Sequence, residues 1–221
     1  MRAGSRFISF LRQGVGLVLL FPFILFPFIA AAQKVEQLQY NEPGDKITYN
    51  ITVDGKTSMM EQLYTAVTDD ILEGVQKFSD VTTEFQIEKP FQVRKSFCLT
   101  SSEGCAFSPG VPIIQLPLEI DGAWTSAYTV TGKNFVNDAT QERKVEKIEK
   151  VTVPGGVFEC FRIARTGRFT GRNNKGKTYS GTEEGIDWVS VIRGKAVLVK
   201  AIYKNSFGRQ AVRELVSTTF R

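Results

Sequence analysis

The chain has 221 residues, 28 basic against 23 acidic side chains, and no histidine. Without histidine, neither a Ser-His-Asp nor a Cys-His centre can be built, nor a zinc site that needs imidazole. Three cysteines are one short of a four-cysteine zinc site; calcium held by carboxylates stays allowed, but no EF-hand spacing occurs, and neither metal nor cofactor is expected.

The amino terminus has the three parts of a secretory leader. Arg2, Arg6 and Arg12 form a basic start, Val15–Ala32 is an uncharged run of 18 residues, and Ala30-Ala31-Ala32 precedes Gln33 as an Ala-x-Ala cleavage pattern. Residues 1–32 are read as a signal peptide cleaved near Ala32-Gln33, and residues 33–221 as a single β-rich domain that is periplasmic or secreted. The alternative is an uncleaved anchor, since about 20 apolar residues span a bilayer. Pro22 and Pro27 speak against a lasting membrane helix. Removing 32 of 221 residues leaves 189, enough for one core. It also takes away three basic and no acidic side chains, so 25 face 23 and the net charge falls from +5 to +2. That small excess gives no support to a nucleic-acid partner.

Alternation dominates the rest of the chain. In Ile47–Val53 every second residue is apolar, the pattern of a half-buried strand, and Asp54-Gly55 supplies a tight hairpin turn. Residues 59–78 carry two readings. Met60, Leu63, Tyr64, Val67, Ile71, Leu72 and Val75 fit one helical face, with Ser58 and Glu61 as a capping box. Asp69-Asp70 instead suits a turn between two strands, and the preceding hairpin needs a strand to pair with. Two strands are preferred, with one helix near 59–78 as the alternative. Val81–Ile87 alternates again and stops at Lys89-Pro90. Cys98 and Cys105 enclose a polar segment that could be a hairpin loop, and a bridge between them is expected. Cys160, set between Phe158 and Phe161, reads as a buried free thiol, other pairings staying open.

Trp124 introduces a strand containing Tyr128 and Val130. Val151–Val153, the turn Pro154-Gly155-Gly156 and Val157–Ile163 form a hairpin. Asn173-Asn174-Lys175-Gly176 is a turn, as is Arg193-Gly194 between Trp188–Ile192 and Lys195–Tyr203. A last strand covers about 210–220. No repeat or linker is evident; a weak seam is expected near Pro109–Pro117.

The segment Val151-Thr-Val-Pro-Gly-Gly-Val-Phe-Glu-Cys-Phe-Arg-Ile163 resembles an uncharacterised family of bacterial envelope β-domains that carry a Val-Pro-x-Gly turn followed by x-Phe-Glu. Pro43-Gly44-Asp45, Asp54-Gly55-Lys56, Pro117-Leu118 and Asp121-Gly122-Ala123-Trp124 fit the same frame. Asp187-Trp188-Val189 stands where the family usually has Tyr-Trp-Tyr or Tyr-Trp-Phe before Ala-Pro, so Asp187 and Ser190 depart from the pattern. Several such domains are distantly similar to the lipoprotein carrier LolA. The resemblance implies a mainly β fold, a single antiparallel, strongly curved sheet forming a half-barrel or open barrel with an apolar interior. It supplies no catalytic residues.

Two groups of residues are candidates for binding. Trp124, Tyr128, Phe158, Phe161 and Trp188 are candidates to line an apolar cavity for a lipid or lipoprotein acyl chain, or else to fill the core. Arg162, Arg165, Arg168, Arg172, Lys175 and Lys177 contain no acid among them and could meet an anionic partner, or be balanced by Glu183 and Glu184 on the return strand. Glu119, Asp121, Glu183, Glu184 and Asp187 leave acid–base hydrolysis formally open, as Lys147 or Lys150 with a serine does, but no catalytic motif surrounds them. The expectation is an exported, non-enzymatic β-protein binding a hydrophobic or amphipathic ligand. Alternatives are an envelope interaction module using the basic hairpin, with an envelope protein as partner, and, third, a hydrolase.

Overall fold

The structure, a computed structural model, describes residues 33–98 and 104–221. The leader and residues 99–103 lie outside them. All regular structure among the described residues is β: β1 (Lys34–Val35), β2 (Lys46–Val53), β3 (Lys56–Val67), β4 (Ile71–Phe78), β5 (Val81–Glu88), β6 (Gln92–Phe97), β7 (Gly104–Pro112), β8 (Leu118–Glu119), β9 (Ala123–Gly132), β10 (Phe135–Val153), β11 (Gly156–Asn173), β12 (Thr178–Ile192), β13 (Lys195–Asn205) and β14 (Gln210–Thr219).

Twelve of these, all but β1 and β8, form one closed antiparallel barrel in which each strand pairs with its sequence neighbour and β7 pairs with β9. The last strand returns to the first, with Ala211 opposite Val53 and Thr219 opposite Lys46. The sheet is therefore a closed barrel, which corrects the half-barrel or open-barrel expectation. Closure satisfies the edge hydrogen bonds that an open sheet leaves exposed.

Residues 59–78 are strands β3 and β4, so the helical alternative is overturned. Met60, Gln62 and Tyr64 are buried while Leu63 and Val67 are exposed, a period of two. Those two outward apolar residues create the false helical face. At the β2–β3 turn Asp54 and Gly55 both take positive φ, 49° and 81°, as a two-residue hairpin of this kind requires. The turns at 154–155, 174–177 and 193–194 also fall where the sequence places them. The strands around them are longer than expected, at 19 and 18 residues for β10 and β11.

Two packed clusters hold the barrel. The first joins inward residues of β2–β5 (Ile47, Tyr49, Ile51, Met60, Tyr64, Leu72, Phe85) to Val153, Cys160, Trp188, Val197, Val199 and Leu215. Its second part exists because the end of the β10–β11 hairpin packs against β13 and β14, where Gly155 N–H donates to Leu215 O at 2.9 Å. The second cluster contains Phe91, Ile114, Leu118, Trp124, Val145, Phe161, Ile163 and Val189. Val35, Leu38, Tyr40, Ile113 and Leu116 pack onto it, so the amino-terminal segment and residues 113–118 stop one end of the barrel. Of the expected seam near Pro109–Pro117, residues 113–117 are part of this stopper, whereas 109–112 continue strand β7 of the barrel. β1 and β8 pair there as a short ladder, Lys34 opposite Glu119.

A buried ion pair fastens the same end. Lys195 Nζ lies 2.5 Å from Asp45 Oδ2, and both side chains are almost wholly withdrawn from solvent. Asp45 also accepts from the backbone N–H of Glu42 at 2.9 Å and of Arg221 at 3.0 Å, so one carboxylate joins three distant parts of the chain. Burial alone would raise its pKa. Lys195 and the two N–H donors outweigh this and hold it below the usual carboxylate value.

Cys98 and Cys105 form a disulfide across the β6–β7 hairpin, with Cα atoms 5.6 Å apart. Cys160 is free and buried, and burial pushes its thiol pKa up to about 12.

Candidate functional site

Side chains that point inward surround a cavity of about 620 Å³ in the barrel lumen. That lies within the range of about 300–1,000 Å³ usual for small-molecule sites. It extends from the stopper to the opposite end of the barrel, where Phe97, Phe107, Phe135, Phe169, Tyr179 and Phe207 line it. Phe169, Tyr179 and Phe207 meet edge to face at that rim, with centroids 5.8–6.4 Å apart, and Phe207 is 60% exposed.

The lumen has two unlike walls. One, from β2 to β5, is mainly apolar: Ile47, Tyr49, Ile51, Leu72, Phe85 and Ile87. The other, from β10 to β14, presents Gln141, Arg143, Arg165, Glu183, Asp187 and Arg213. A strand period of two places these polar residues inside, with charged residues of the same strands outside. The long side chain of Arg165 has room because its neighbour across the ladder is Gly185. A Cβ there would lie 2.7 Å from Arg165 Nε.

Most of the polar wall is hydrogen-bonded. Arg143 Nη1 donates to Asp187 Oδ2 at 2.8 Å, and its Nε donates to Gln141 Oε1 at 2.7 Å. Gln141 Nε2 in turn donates to Glu183 Oε1 at 2.8 Å. Arg165 Nε is 3.5 Å from Asp187 Oδ2, close enough for an ion pair, yet it is buried and makes no hydrogen bond. Its guanidinium lies 5.4 Å from the centre of the Tyr203 ring. Arg213 stands over the Tyr49 ring at 5.3 Å and has no carboxylate within ion-pair distance among the described residues. Three guanidinium groups therefore share two carboxylates. Burial lowers the pKa of Arg143 despite Asp187, and lowers that of Arg213. For Arg165 burial acts in the same direction, but Asp187 and Glu183 outweigh it and the pKa is raised. Tyr128 is raised by burial.

Of the five aromatic candidates, Tyr128 lines the cavity. Trp124 and Phe161 belong to the stopper cluster, where Trp124 Nε1 donates to Pro112 O at 3.1 Å. Phe158 and Trp188 pack in the first cluster, and Trp188 Nε1 donates to Glu149 Oε1 at 2.8 Å. The six basic candidates also separate. Arg165 points into the lumen. Arg162 pairs with Glu146 and Glu149 and lies over the Trp188 ring. Arg168, Arg172, Lys175 and Lys177 are exposed along the β11–β12 hairpin and its turn. Glu183 does not balance them from outside, because it too lines the lumen, while Glu184 is 3.9 Å from Lys204.

Among the other carboxylates, Glu119 faces Lys34 at 3.7 Å and Asp121 faces Lys144 at 2.9 Å, both on the surface. Lys147 pairs with Glu149 at 2.7 Å, and Lys150 is exposed. Sequence reasoning did not single out Gln141, Arg143 or Arg213. Parity would have found Arg165 and Asp187 as inward residues: Ile163, Arg165, Gly167 and Phe169 share one face of β11, and Glu183, Gly185, Asp187 and Val189 one face of β12.

The chain matches no family model and no curated protein sequence. Among solved structures it is similar to a protein of Parabacteroides distasonis described as a candidate lipoprotein, with TM-score 0.50 and 14% identity over 85% of this chain and 100% of that one. Weaker likenesses are to a candidate exported protein with a YmcC-like fold from Bacteroides fragilis (TM-score 0.42, 13% identity, 86% and 100% covered) and to the hypothetical lipoprotein YmcC of Escherichia coli (TM-score 0.46, 9% identity, 80% and 89% covered). At 14% identity, the Parabacteroides likeness shows a common fold, and function must be argued from the lumen.

Proposed function

We propose that this is an exported, non-enzymatic barrel protein that binds a hydrophobic or amphipathic molecule, such as a lipid or an acyl chain, in its lumen. The observation that carries the reading is the 620 Å³ cavity with one apolar wall, stopped at one end and rimmed by aromatic side chains at the other. Burial of apolar surface supplies about 25 cal/mol per Å², and a preformed cavity avoids part of the ordering cost of binding. The leader pattern in residues 1–32 and the Cys98–Cys105 bridge support a periplasmic or secreted location. Native mass spectrometry of protein purified without detergent, followed by titration of the stripped protein with a fluorescent fatty acid, tests it. A bound amphiphile or saturable probe uptake is expected. Folded protein that carries nothing and takes up no probe overturns the proposal.

A second reading is favoured by the exposure of Arg168, Arg172, Lys175 and Lys177 on one hairpin. As an interaction module, the protein would present these charges to an acidic envelope partner. Replacing all four by serine then abolishes capture of that partner with no change in thermal stability. Unchanged capture removes this reading.

A further inference from the structure

We infer that the lumen binds a single-chain amphiphile by an anionic head, a carboxylate or a phosphate monoester, held between Arg165 and Arg213. The inference rests on the ligand-binding reading above and specifies its ligand class.

Three observations converge. The polar wall presents three guanidinium groups, with Arg143 buried and Arg165 and Arg213 half-buried, against two carboxylates, leaving one positive charge without a counterion. An uncompensated charge partly withdrawn from water is costly, so an anion that enters and pairs with it is favoured over a neutral occupant. The two arginines with capacity to spare both line the cavity. Arg165 Nε is a buried donor with no acceptor, and Arg213 has only the face of Tyr49. Asp187, the nearest carboxylate, already accepts from Arg143 at 2.8 Å.

The ladder places a gap between them. Ala201 lies between Asp187 on β12 and Arg213 on β14, and the next row runs from Arg165 through Gly185 and Tyr203 to Ala211. Gly185, Ala201 and Ala211 have little or no side chain, so an anion over Ala201 can reach both guanidinium groups, with the Tyr203 ring, 5.4 Å from Arg165, beside it. The head then faces β11–β14 while the chain lies on Ile51, Leu72 and Phe85 of the opposite wall. The sign of the surplus charge selects an anion over a cation, and the apolar wall selects an amphiphile over a free inorganic ion.

The test is displacement of bound 11-(dansylamino)undecanoate by competitors of one chain length: hexadecanoate, hexadecyl phosphate, hexadecanol and hexadecylamine. At least one anionic competitor should act at a concentration about tenfold or more below hexadecanol, the factor that one charge-assisted hydrogen bond supplies. The ranking of the two anions identifies carboxylate or phosphate as the head. Arg213→Gln should cut the ratio of anionic to hexadecanol affinity about tenfold, and Arg213→Lys should keep most of that ratio. Should Arg213→Gln fail to fold, Arg165→Gln and the wild-type ranking decide. Probe uptake in which hexadecanol or hexadecylamine competes as well as the anions overturns the inference and leaves the broader reading standing. No uptake of probe by the folded protein overturns both.

Discussion

Replacing Asp45 by alanine tests whether the ion pair at the stopped end holds the barrel together. Lys195 is 4% exposed, and its ammonium would be left against the Phe220 ring, 5.2 Å away, with no carboxylate. The backbone N–H groups of Glu42 and Arg221 would lose their acceptor as well. Removing one partner of a buried pair costs about 3–5 kcal/mol. With a urea m-value of about 2 kcal/mol/M, the unfolding midpoint should fall by about 1.5–2.5 M. Asp45→Ala/Lys195→Met should recover part of the loss, because the stranded charge is gone. The pH dependence has a definite sign. Asp45 has a depressed pKa in the folded state, so its contribution is fully present above its unfolded pKa and is lost as pH falls through the folded value. The alanine variant should therefore lose less stability than wild type between about pH 4 and pH 2. A loss below about 1 kcal/mol at neutral pH, or no recovery in the double variant, would refute the reasoning.

Other outcomes depend on single contacts. Cys98→Ser/Cys105→Ser opens a loop of about eight residues and should lower stability by about 2.5 kcal/mol, with wild type matching it only after reduction; equal stability of oxidised and reduced wild type would contradict this. Cys160, buried and with its pKa pushed up to about 12, should resist iodoacetamide at pH 8 in the folded protein and react in urea. Rapid labelling without denaturant would show that the thiol is accessible. Gly185→Ala sets a Cβ 2.5 Å from Ile202 O and 2.7 Å from Arg165 Nε, so it should strain the β12–β13 ladder, displace Arg165, cost about 1–3 kcal/mol by overpacking, and weaken anionic ligands more than neutral ones. Equal binding of hexadecanoate by wild type and variant would separate Arg165 from the site.

Turns are the most legible part of the fold, because their chemistry is local. Asp54-Gly55, Pro154-Gly155-Gly156 and Arg193-Gly194 each need only two or three residues to be recognised. The stretch from Phe135 to Lys150 gives no such signal as a strand. Between Phe135 and Val145 its inward positions are Asn137, Ala139, Gln141 and Arg143, so the usual apolar alternation is missing where the lumen is polar. The basic run reads as one surface when charge is counted along the chain, whereas the pleat sends Arg165 inward and Arg168 and Arg172 outward. Asp187, which the sequence offers only as one of several carboxylates, is the one that accepts from Arg143 and approaches Arg165. Closure is not legible either. Alternation in β2 and β14 is the same whether those strands pair with each other or end as free edges.

That closure also constrains the order of events during biogenesis. The first barrel strand pairs with the last, and Asp45 binds the backbone N–H of a residue 176 positions later. A chain delivered amino terminus first can form its local hairpins early, but it cannot seal the lumen until β14 has arrived. Contacts of such long range slow folding. During that interval β2 keeps an unpaired edge, and the apolar wall that will face a ligand is open to any other hydrophobic surface. The strand β14 thus acts as the closing seam, and its arrival marks the moment when a sticky open sheet becomes a container.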